Sequence, residues 1–315
     1  MTTTLVTGAA GFAGSHLLDL LAADGGQTPG SIVAWHRGTL PSSARRDAAI
    51  HWEAVDVLDR DAVRSAVART RPSTVYHCAG AAHVGRAWDD IESTFATNVR
   101  GTHNMLDALA RAGVRARMLI PSSALVYTPA DRPLAETDRL VPSSPYGVSK
   151  LAQELLASHS GSGLIVTVAR AFNHVGPRQD PHFAAADFAR RIADIERGRW
   201  QPEITVGNLE ARRDLTDVRD TVRAYRLIVE RGVPGRPYNV CTGRAIAIGD
   251  LLDRLLSRAR VKITIRPDPA RLRPNDTPVL VGDPGRAHDE LGWAPAIPLD
   301  RALDDLLDYW RGRAQ

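Results

Sequence analysis

Lysine is almost absent from this chain. Of its 40 basic residues only Lys150 and Lys262 are lysines, and every other one is arginine. Cysteine is nearly as scarce, with Cys78 and Cys241 standing far apart in apolar, strand-like runs. Two cysteines so placed supply neither a disulfide framework nor a metal-ligand cluster, so a reduced chain without bound metal is expected. Apolar runs stay short of the ~18 residues that cross a bilayer, so neither a transmembrane helix nor a membrane partner is expected. The chain enters the strand-like Thr4-Leu5-Val6-Thr7 at once, leaving no room for a charged and then apolar leader. A cytoplasmic location is the expectation. Also missing is any basic run interleaved with aromatics, which make up 5% of the residues. The formal charge of +4 therefore marks no nucleic-acid face, because arginines alternate with acids, as in Asp59-Arg60-Asp61 and Asp217-Val218-Arg219-Asp220. A few arginines converging on a phosphate-bearing small molecule fit better.

What is present reads as an ordinary globular chain. Its 315 residues can bury a full core, as one large domain or two unequal ones. The first half alternates β-branched runs (Leu5–Thr7, Ile32–Trp35, Trp52–Val55, Thr74–Cys78, Met118–Pro121) with helical patterns over Ser15–Ala23, Asp61–Arg69 and Thr94–Arg111. A helix over Tyr146–Ser158 and a strand over Leu164–Ala169 follow. That rhythm predicts an α/β fold of the Rossmann type: a doubly wound parallel sheet with helices on both faces. Beyond Phe172 the rhythm breaks at Gly176-Pro177 into shorter elements, with helices near Asp187–Arg197, Asp217–Arg231, Ile248–Arg258 and Leu299–Arg311. The expected division is a dinucleotide-binding domain over 1–171 and a smaller mixed α/β substrate-binding region over 172–315. The boundary is soft, with strands and helices free to cross back.

Three segments carry chemistry. Thr7-Gly8-Ala9-Ala10-Gly11-Phe12-Ala13-Gly14 follows the first strand and opens the first helix. Gly8 permits the tight turn, Gly11 lets a pyrophosphate approach the backbone, and Gly14 allows close helix–strand packing. At the end of the second strand, where an acid would bind both ribose hydroxyls of NAD, stand His36 and Arg37. Their charge suits a 2′-phosphate, so NADP(H) rather than NAD(H) is expected, unless Arg37 is merely solvated. Asp56-Val57, after the third strand, could hold the adenine, or Asp56 could be an ordinary strand-end residue. The third segment is Tyr146-Gly147-Val148-Ser149-Lys150. Residues i and i+4 share a helix face, so the ammonium can sit beneath the phenol and favour its ionisation. Such a tyrosine exchanges protons with a substrate oxygen. The plainer alternative is an amphipathic helix with tyrosine inward and lysine outward.

With these anchors, His77-Cys78-Ala79-Gly80, Asn98-Val99-Arg100-Gly101-Thr102 and Ser122-Ser123 complete an ordered set. Over nearly its whole length the chain resembles the extended short-chain dehydrogenase/reductase superfamily. The resemblance implies a catalytic triad of Ser123, Tyr146 and Lys150, with Ser122 as the competing serine. It implies cofactor contacts at Gly8, Gly11, Phe12, Ala13, Gly14, Arg37, Asp56, Val57, Ala79, Asn98, Tyr146 and Lys150. It also implies a homodimer packed through the helices near 94–111 and 145–158. Phe172-Asn173-His174-Val175-Gly176-Pro177 and Gly207-Asn208-Leu209-Glu210-Ala211-Arg212-Arg213-Asp214 resemble GDP-mannose 4,6-dehydratases and GDP-4-dehydro-6-deoxy-D-mannose reductases. Thr216-Asp217-Val218-Arg219-Asp220 and Arg271-Leu272-Arg273-Pro274-Asn275-Asp276-Thr277-Pro278 favour the reductase branch.

By that resemblance Asn173, Arg213 and Arg273 contact a diphosphate, Asp276 a guanine, and Ser123 the sugar oxygen. Alternatively, Arg213 and Arg273 pair with Asp214 and Asp276 as structural bridges. One departure matters. Dehydratases of this kind carry Glu two places after the catalytic Ser or Thr, where this chain has Leu125. The expected activity is NADPH-dependent reduction of the C4 ketone of GDP-4-dehydro-6-deoxy-D-mannose to GDP-D-rhamnose. A nucleotide-sugar 4-epimerase, formation of the other C4 epimer (GDP-6-deoxy-D-talose) and a non-catalytic NADP-binding regulator are the alternatives.

Overall fold

The computed structural model describes residues 3–23, 28, 30–41, 44–160, 163–271 and 277–313. Strand β1 (Thr4–Thr7) leads into α1 (Phe12–Ala23), and β2 (Ile32–His36) and β3 (Ile50–Ala54) precede α2 (Arg60–Thr70). After β4 (Thr74–His77) come α3 (Arg86–Asp89), α4 (Ile91–Phe95), a π-helical turn (Ala96–Arg100) and α5 (Gly101–Arg111). Next, β5 (Ala116–Ser123) runs into a 3-10 turn (Ala124–Val126), followed by α6 (Pro145–Ser158) and β6 (Leu164–Ala171). The remaining elements are β7 (Asn173–Val175), α7 (Ala184–Glu196), β8 (Glu203–Val206), β9 (Arg212–Asp217), α8 (Val218–Arg231) and β10 (Pro237–Val240). They are followed by β11 (Ala245–Ala247), α9 (Ile248–Leu256), β12 (Thr264–Pro267), β13 (Val279–Leu280), α10 (Gly285–Leu291) and α11 (Leu299–Gly312).

Among the described residues seven strands pair in the order β10-β6-β5-β4-β1-β2-β3, all parallel. This is the doubly wound sheet that the βαβ rhythm predicts. Period-2 alternation splits each strand between two cores. Val6, Ile32, Ala34 and Leu119 face Leu17, Leu18, Leu21, Val222 and Ile228 of α1 and α8. Leu5, Val33, Trp35, Met118 and Ile120 face Val63, Val67, Met105, Leu109 and Ala157 of α2, α5 and α6. Elements from beyond residue 172 complete this layer: β10 pairs with β6 at the sheet edge, and α8 covers one face.

The rest of the second half forms smaller sheets, β11-β9-β13 with β7 joined to β9, and β12-β8. Helices α7, α9 and α11 enclose a separate core around Phe188, Ile192, Leu252, Leu306 and Trp310. The chain winds outward from β1 to β3 and then crosses to β4, so the strand order reverses between β1 and β4. The crevice above that reversal is where open α/β sheets bind ligands.

One expected element differs. The helix predicted over Thr94–Arg111 is interrupted by the π-helical turn at Ala96–Arg100. Its buried Asn98 is anchored sideways, donating from Nδ2 to Ala81 O at 3.2 Å and to Ser149 Oγ at 2.9 Å. A widened turn is a familiar device where a helical side chain serves a site.

Candidate active site

The glycine loop lies at the strand reversal. Gly8 adopts φ +62°, open to glycine at little cost, and a Cβ there would sit 2.6 Å from Ala79 N. The loops after β1 and β4 therefore touch backbone to backbone. A Cβ on Gly14 would overlap Gly8 O, so α1 can start only this close to β1 with glycine. Gly11 by contrast is exposed. Gly11 N–H closes the turn onto Gly8 O at 2.9 Å, and the first turn of α1 contains no acidic residue, so the helix dipole at Phe12 and Ala13 favours an anion beside Gly11. At the end of β2, His36 Nδ1 is buried without a partner among the described residues, and the exposed Arg37 follows it. An unmet polar atom beside a guanidinium fits a phosphorylated ribose. Asp56 accepts from Leu58 N at 2.9 Å, and Val57 is buried against Gly101.

The proton-transfer set sits across the crevice. Ser144 caps α6 by accepting from Gly147 N at 3.1 Å, and Pro145 occupies the first helical turn. Gly147 packs against Leu125 O so closely that any Cβ would overlap it. That contact brings Tyr146 to the end of β5, where its phenol shares a hydrogen bond with Ser123. Ser123 Oγ also accepts from Leu125 N at 3.1 Å. The competing serine turns away: Ser122 Oγ donates to Glu154 Oε1 at 2.5 Å, and Glu154 pairs with Arg170 at 2.7 Å. Lys150 Nζ lies 5.9 Å from the Tyr146 ring centroid and donates to Pro121 O and Gln153 Oε1, both at 2.8 Å.

The electrostatics correct one expectation. Burial pushes the Tyr146 phenol up to about 12, outweighing its hydrogen bond with Ser123. Burial likewise brings Lys150 down to about 8. The lysine therefore does not hold Tyr146 as a phenolate here; the phenol is neutral and carries its proton. Leu125, on the 3-10 turn, is partly buried against an apolar cluster with Val126, Tyr127 and Phe172.

The other sequence-derived candidates are spread more widely. Ala79 N donates to Thr7 Oγ1 at 3.1 Å and borders the glycine loop. Asn98 Oδ1 accepts from Ala81 N at 2.8 Å, so its amide braces the loop after β4. Asn173 is exposed at the start of β7, and its neighbour His174 stacks on Phe12 with ring centroids 5.4 Å apart. Arg213, on β9, donates to Arg212 O at 2.9 Å and Thr277 O at 2.7 Å. Asp214 is buried, accepting from Thr242 N, Gly243 N and the Thr242 hydroxyl. Arg273 and Asp276 lie outside the described residues. Sequence reasoning assigns no part to Gln153, Thr102, His77 or Thr7, a buried polar chain beneath Lys150. Its faint signal is glutamine three places after the lysine, one helical turn along the same face.

A glycine loop at the reversal of a parallel sheet, facing serine, tyrosine and lysine on β5 and α6, defines an NAD(P)-dependent oxidoreductase-type enzyme. Its class is the extended short-chain dehydrogenase/reductase superfamily. More narrowly, the chain belongs to the GDP-mannose 4,6 dehydratase family, whose model matches residues 5–306. It is 36% identical to the GDP-6-deoxy-D-mannose reductase of Pseudomonas aeruginosa, over 98% of this chain and 97% of that one. It is 31% identical to a UDP-glucose 4-epimerase of Mycolicibacterium smegmatis, over 99% of each chain. Among solved structures it matches RMD from Pseudomonas aeruginosa complexed with NADPH, with TM-score 0.84 and 32% identity. That match covers 99% of this chain and 100% of the other. Among the described residues, no helix is long and apolar enough to cross a membrane.

Proposed function

We propose that this chain reduces the C4 ketone of GDP-4-dehydro-6-deoxy-D-mannose to GDP-D-rhamnose, with NADPH as reductant. The observation that carries the reading is Leu125. Elimination across C5 and C6 needs an acid/base group beside the reacting carbons, and a partly buried leucine at that position has no proton to give or take. Ser123 hydrogen-bonds Tyr146, and Lys150 lies 5.9 Å from the Tyr146 ring, which supports hydride transfer to a carbonyl as the chemistry left. Likeness to the Pseudomonas reductase supports the same choice.

NADPH bound along the glycine loop supplies the hydride. Phe12 and Ala13 hold its pyrophosphate through backbone N–H groups, with Gly11 allowing the close approach, and His36 and Arg37 take the 2′-phosphate. Asp56 and Val57 flank the adenine, and Asn98 acts through the Ala79–Ala81 loop it braces. Tyr146 gives its proton to the C4 oxygen as negative charge gathers there, while Ser123 Oγ hydrogen-bonds the same oxygen. Lys150 holds the nicotinamide ribose and stabilises the phenolate left on Tyr146. Asn173, Arg213 and Arg273 hold the diphosphate, and the Asp276 carboxylate accepts from the paired N–H groups of guanine.

Val148 and Leu155, seven residues apart on one face of α6, are both exposed. They support a homodimer built through that helix; the compartment proposed for it is the cytoplasm. The deciding experiment supplies enzymatically made GDP-4-dehydro-6-deoxy-mannose and follows NADPH, with NMR of the product at C4. One NADPH consumed per ketosugar and a rhamno product are expected. A talo product reverses the stereochemistry. Interconversion of C4 epimers without net NADPH use would replace the reading with a 4-epimerase.

A further inference from the structure

A buried chain of polar side chains runs from Lys150 to the foot of the glycine loop, and the proposed chemistry leaves it without a task. An ammonium can only donate, so the Gln153 amide must present its oxygen to Lys150 Nζ, at 2.8 Å. Its nitrogen is thereby turned to Thr102 Oγ1, 2.6 Å away. The Thr102 hydroxyl donates its single proton to Asn98 O at 2.6 Å and lies 3.2 Å from His77 Nε2. His77 must then donate through Nε2–H, which leaves Nδ1 to accept from the Thr7 hydroxyl at 3.0 Å. Thr7 Oγ1 in turn accepts from Ala79 N–H at 3.1 Å. The lysine's charge sets the Gln153 amide, and the Asn98 carbonyl sets the Thr102 hydroxyl and through it His77 and Thr7. Gln153, Thr102, His77 and Thr7 are each at most 1% exposed, so none of these bonds can be exchanged for water.

The nearest carboxylate, Glu154, favours the Lys150 charge through space, but it is hydrogen-bonded to Ser122 and Arg170 and not to the ammonium. From β4, burial and the lysine's own charge bring His77 down to about 3, and burial pushes the Cys78 thiol up to about 12. Both are neutral. From its own helix, Tyr146 is neutral and the Glu154 carboxylate is matched by Arg170. What remains for the ammonium is a pair of neutral carbonyl oxygens, Pro121 O from β5 and Gln153 Oε1.

We infer that Gln153 is a positioning residue for the proton-transfer site, resting on the role proposed above for Lys150. Its carbonyl oxygen, locked in orientation by Thr102, His77 and Thr7, keeps the Lys150 ammonium charged and beneath the Tyr146 ring. A side chain that merely filled space would stabilise the fold without influencing when Lys150 loses its proton.

The composition of the chain makes the test direct. Lys150 and Lys262 are the only lysines, so protein carrying carbon-13 at lysine Cε gives two lysine signals. Lys262 is exposed, and Lys262→Arg assigns them. Titration of the full-length wild-type protein should place the Lys150 midpoint near 8. Gln153→Leu should lower it by about one pH unit, because an acceptor for the charged form is lost. Gln153→Glu, of the same shape, should raise it above wild type by adding an opposite charge. The Lys262 midpoint should not move in either variant. A Lys150 midpoint common to all three proteins overturns the inference. Should Gln153→Leu fail to fold, Gln153→Glu decides alone, and an unmoved midpoint there overturns it equally. The titration uses neither cofactor nor sugar, so it decides the role of Gln153 even if the substrate is a different sugar.

Discussion

Replacing Tyr146 by phenylalanine separates chemistry from stability, and the structure sets the size of each effect. The substitution removes one oxygen from a side chain that is 8% exposed and leaves its ring in place over Lys150. What is lost structurally is the hydrogen bond with Ser123. Ser123 Oγ retains Leu125 N–H at 3.1 Å, so no buried group is orphaned and the net cost is about 1 kcal/mol. With an unfolding entropy of about 2.1 cal/mol/K per residue, a chain of this length carries roughly 0.66 kcal/mol/K. The melting temperature should therefore fall by only about 1.5 °C. Turnover should fall far more, by ~10²- to 10⁴-fold, the usual worth of a positioned general acid and equal to about 3–5 kcal/mol of barrier. The assay pairs NADPH consumption on the ketosugar with thermal unfolding and cofactor affinity. NADPH binding should survive, because the phenol touches no phosphate. Turnover within a few-fold of wild type in a folded variant refutes Tyr146 as the proton donor.

Arg37→Asp should shift preference from NADPH toward NADH, read as the ratio of kcat/KM for the two cofactors; equal efficiencies in the unmutated protein would count against the 2′-phosphate site. Incubated with GDP-mannose and NADP, the protein should form no ketosugar, and its detection by alkaline absorbance or NMR would show that a group other than residue 125 supplies the elimination chemistry. Glu154→Ala should destabilise by about 3–5 kcal/mol, because it strands the buried Arg170 guanidinium, lowering the melting temperature by about 5–8 °C. A drop under about 2 °C would show that Arg170 finds other partners, Tyr127 among them.

The parts of this molecule legible in its sequence are those set by local period and local chemistry. The β-branched runs of β1 to β6, the glycine loop before α1 and the helix that carries Tyr146 each act within a few residues, and each forms close to where expected. The choice between Ser122 and Ser123 is not legible, since neighbours on a strand face opposite ways and only the packing of α6 says which way is which. Nor is the return of β10 to the sheet beside β6, a pairing between segments more than sixty residues apart. The acidity of Tyr146 escapes a reading of the sequence for a related reason. Spacing on a helix reveals that a lysine is near, while the opposing burial comes from every element around the pocket.

The scarcity of lysine takes its meaning from the same surroundings. Lys262 is exposed, where arginine would serve equally. Lys150 directs two bonds of 2.8 Å from one nitrogen, to Pro121 O beneath it and to Gln153 Oε1 along the helix. A guanidinium spreads its donors over a planar fork and carries a bulkier head. It cannot place two such bonds on one tetrahedral centre within a pocket already bounded by Gly80, whose Cβ position lies 3.8 Å from Nζ. In a chain otherwise written in arginine, this position needs a compact point charge. The Gln153 chain beneath it supplies the geometry that need implies.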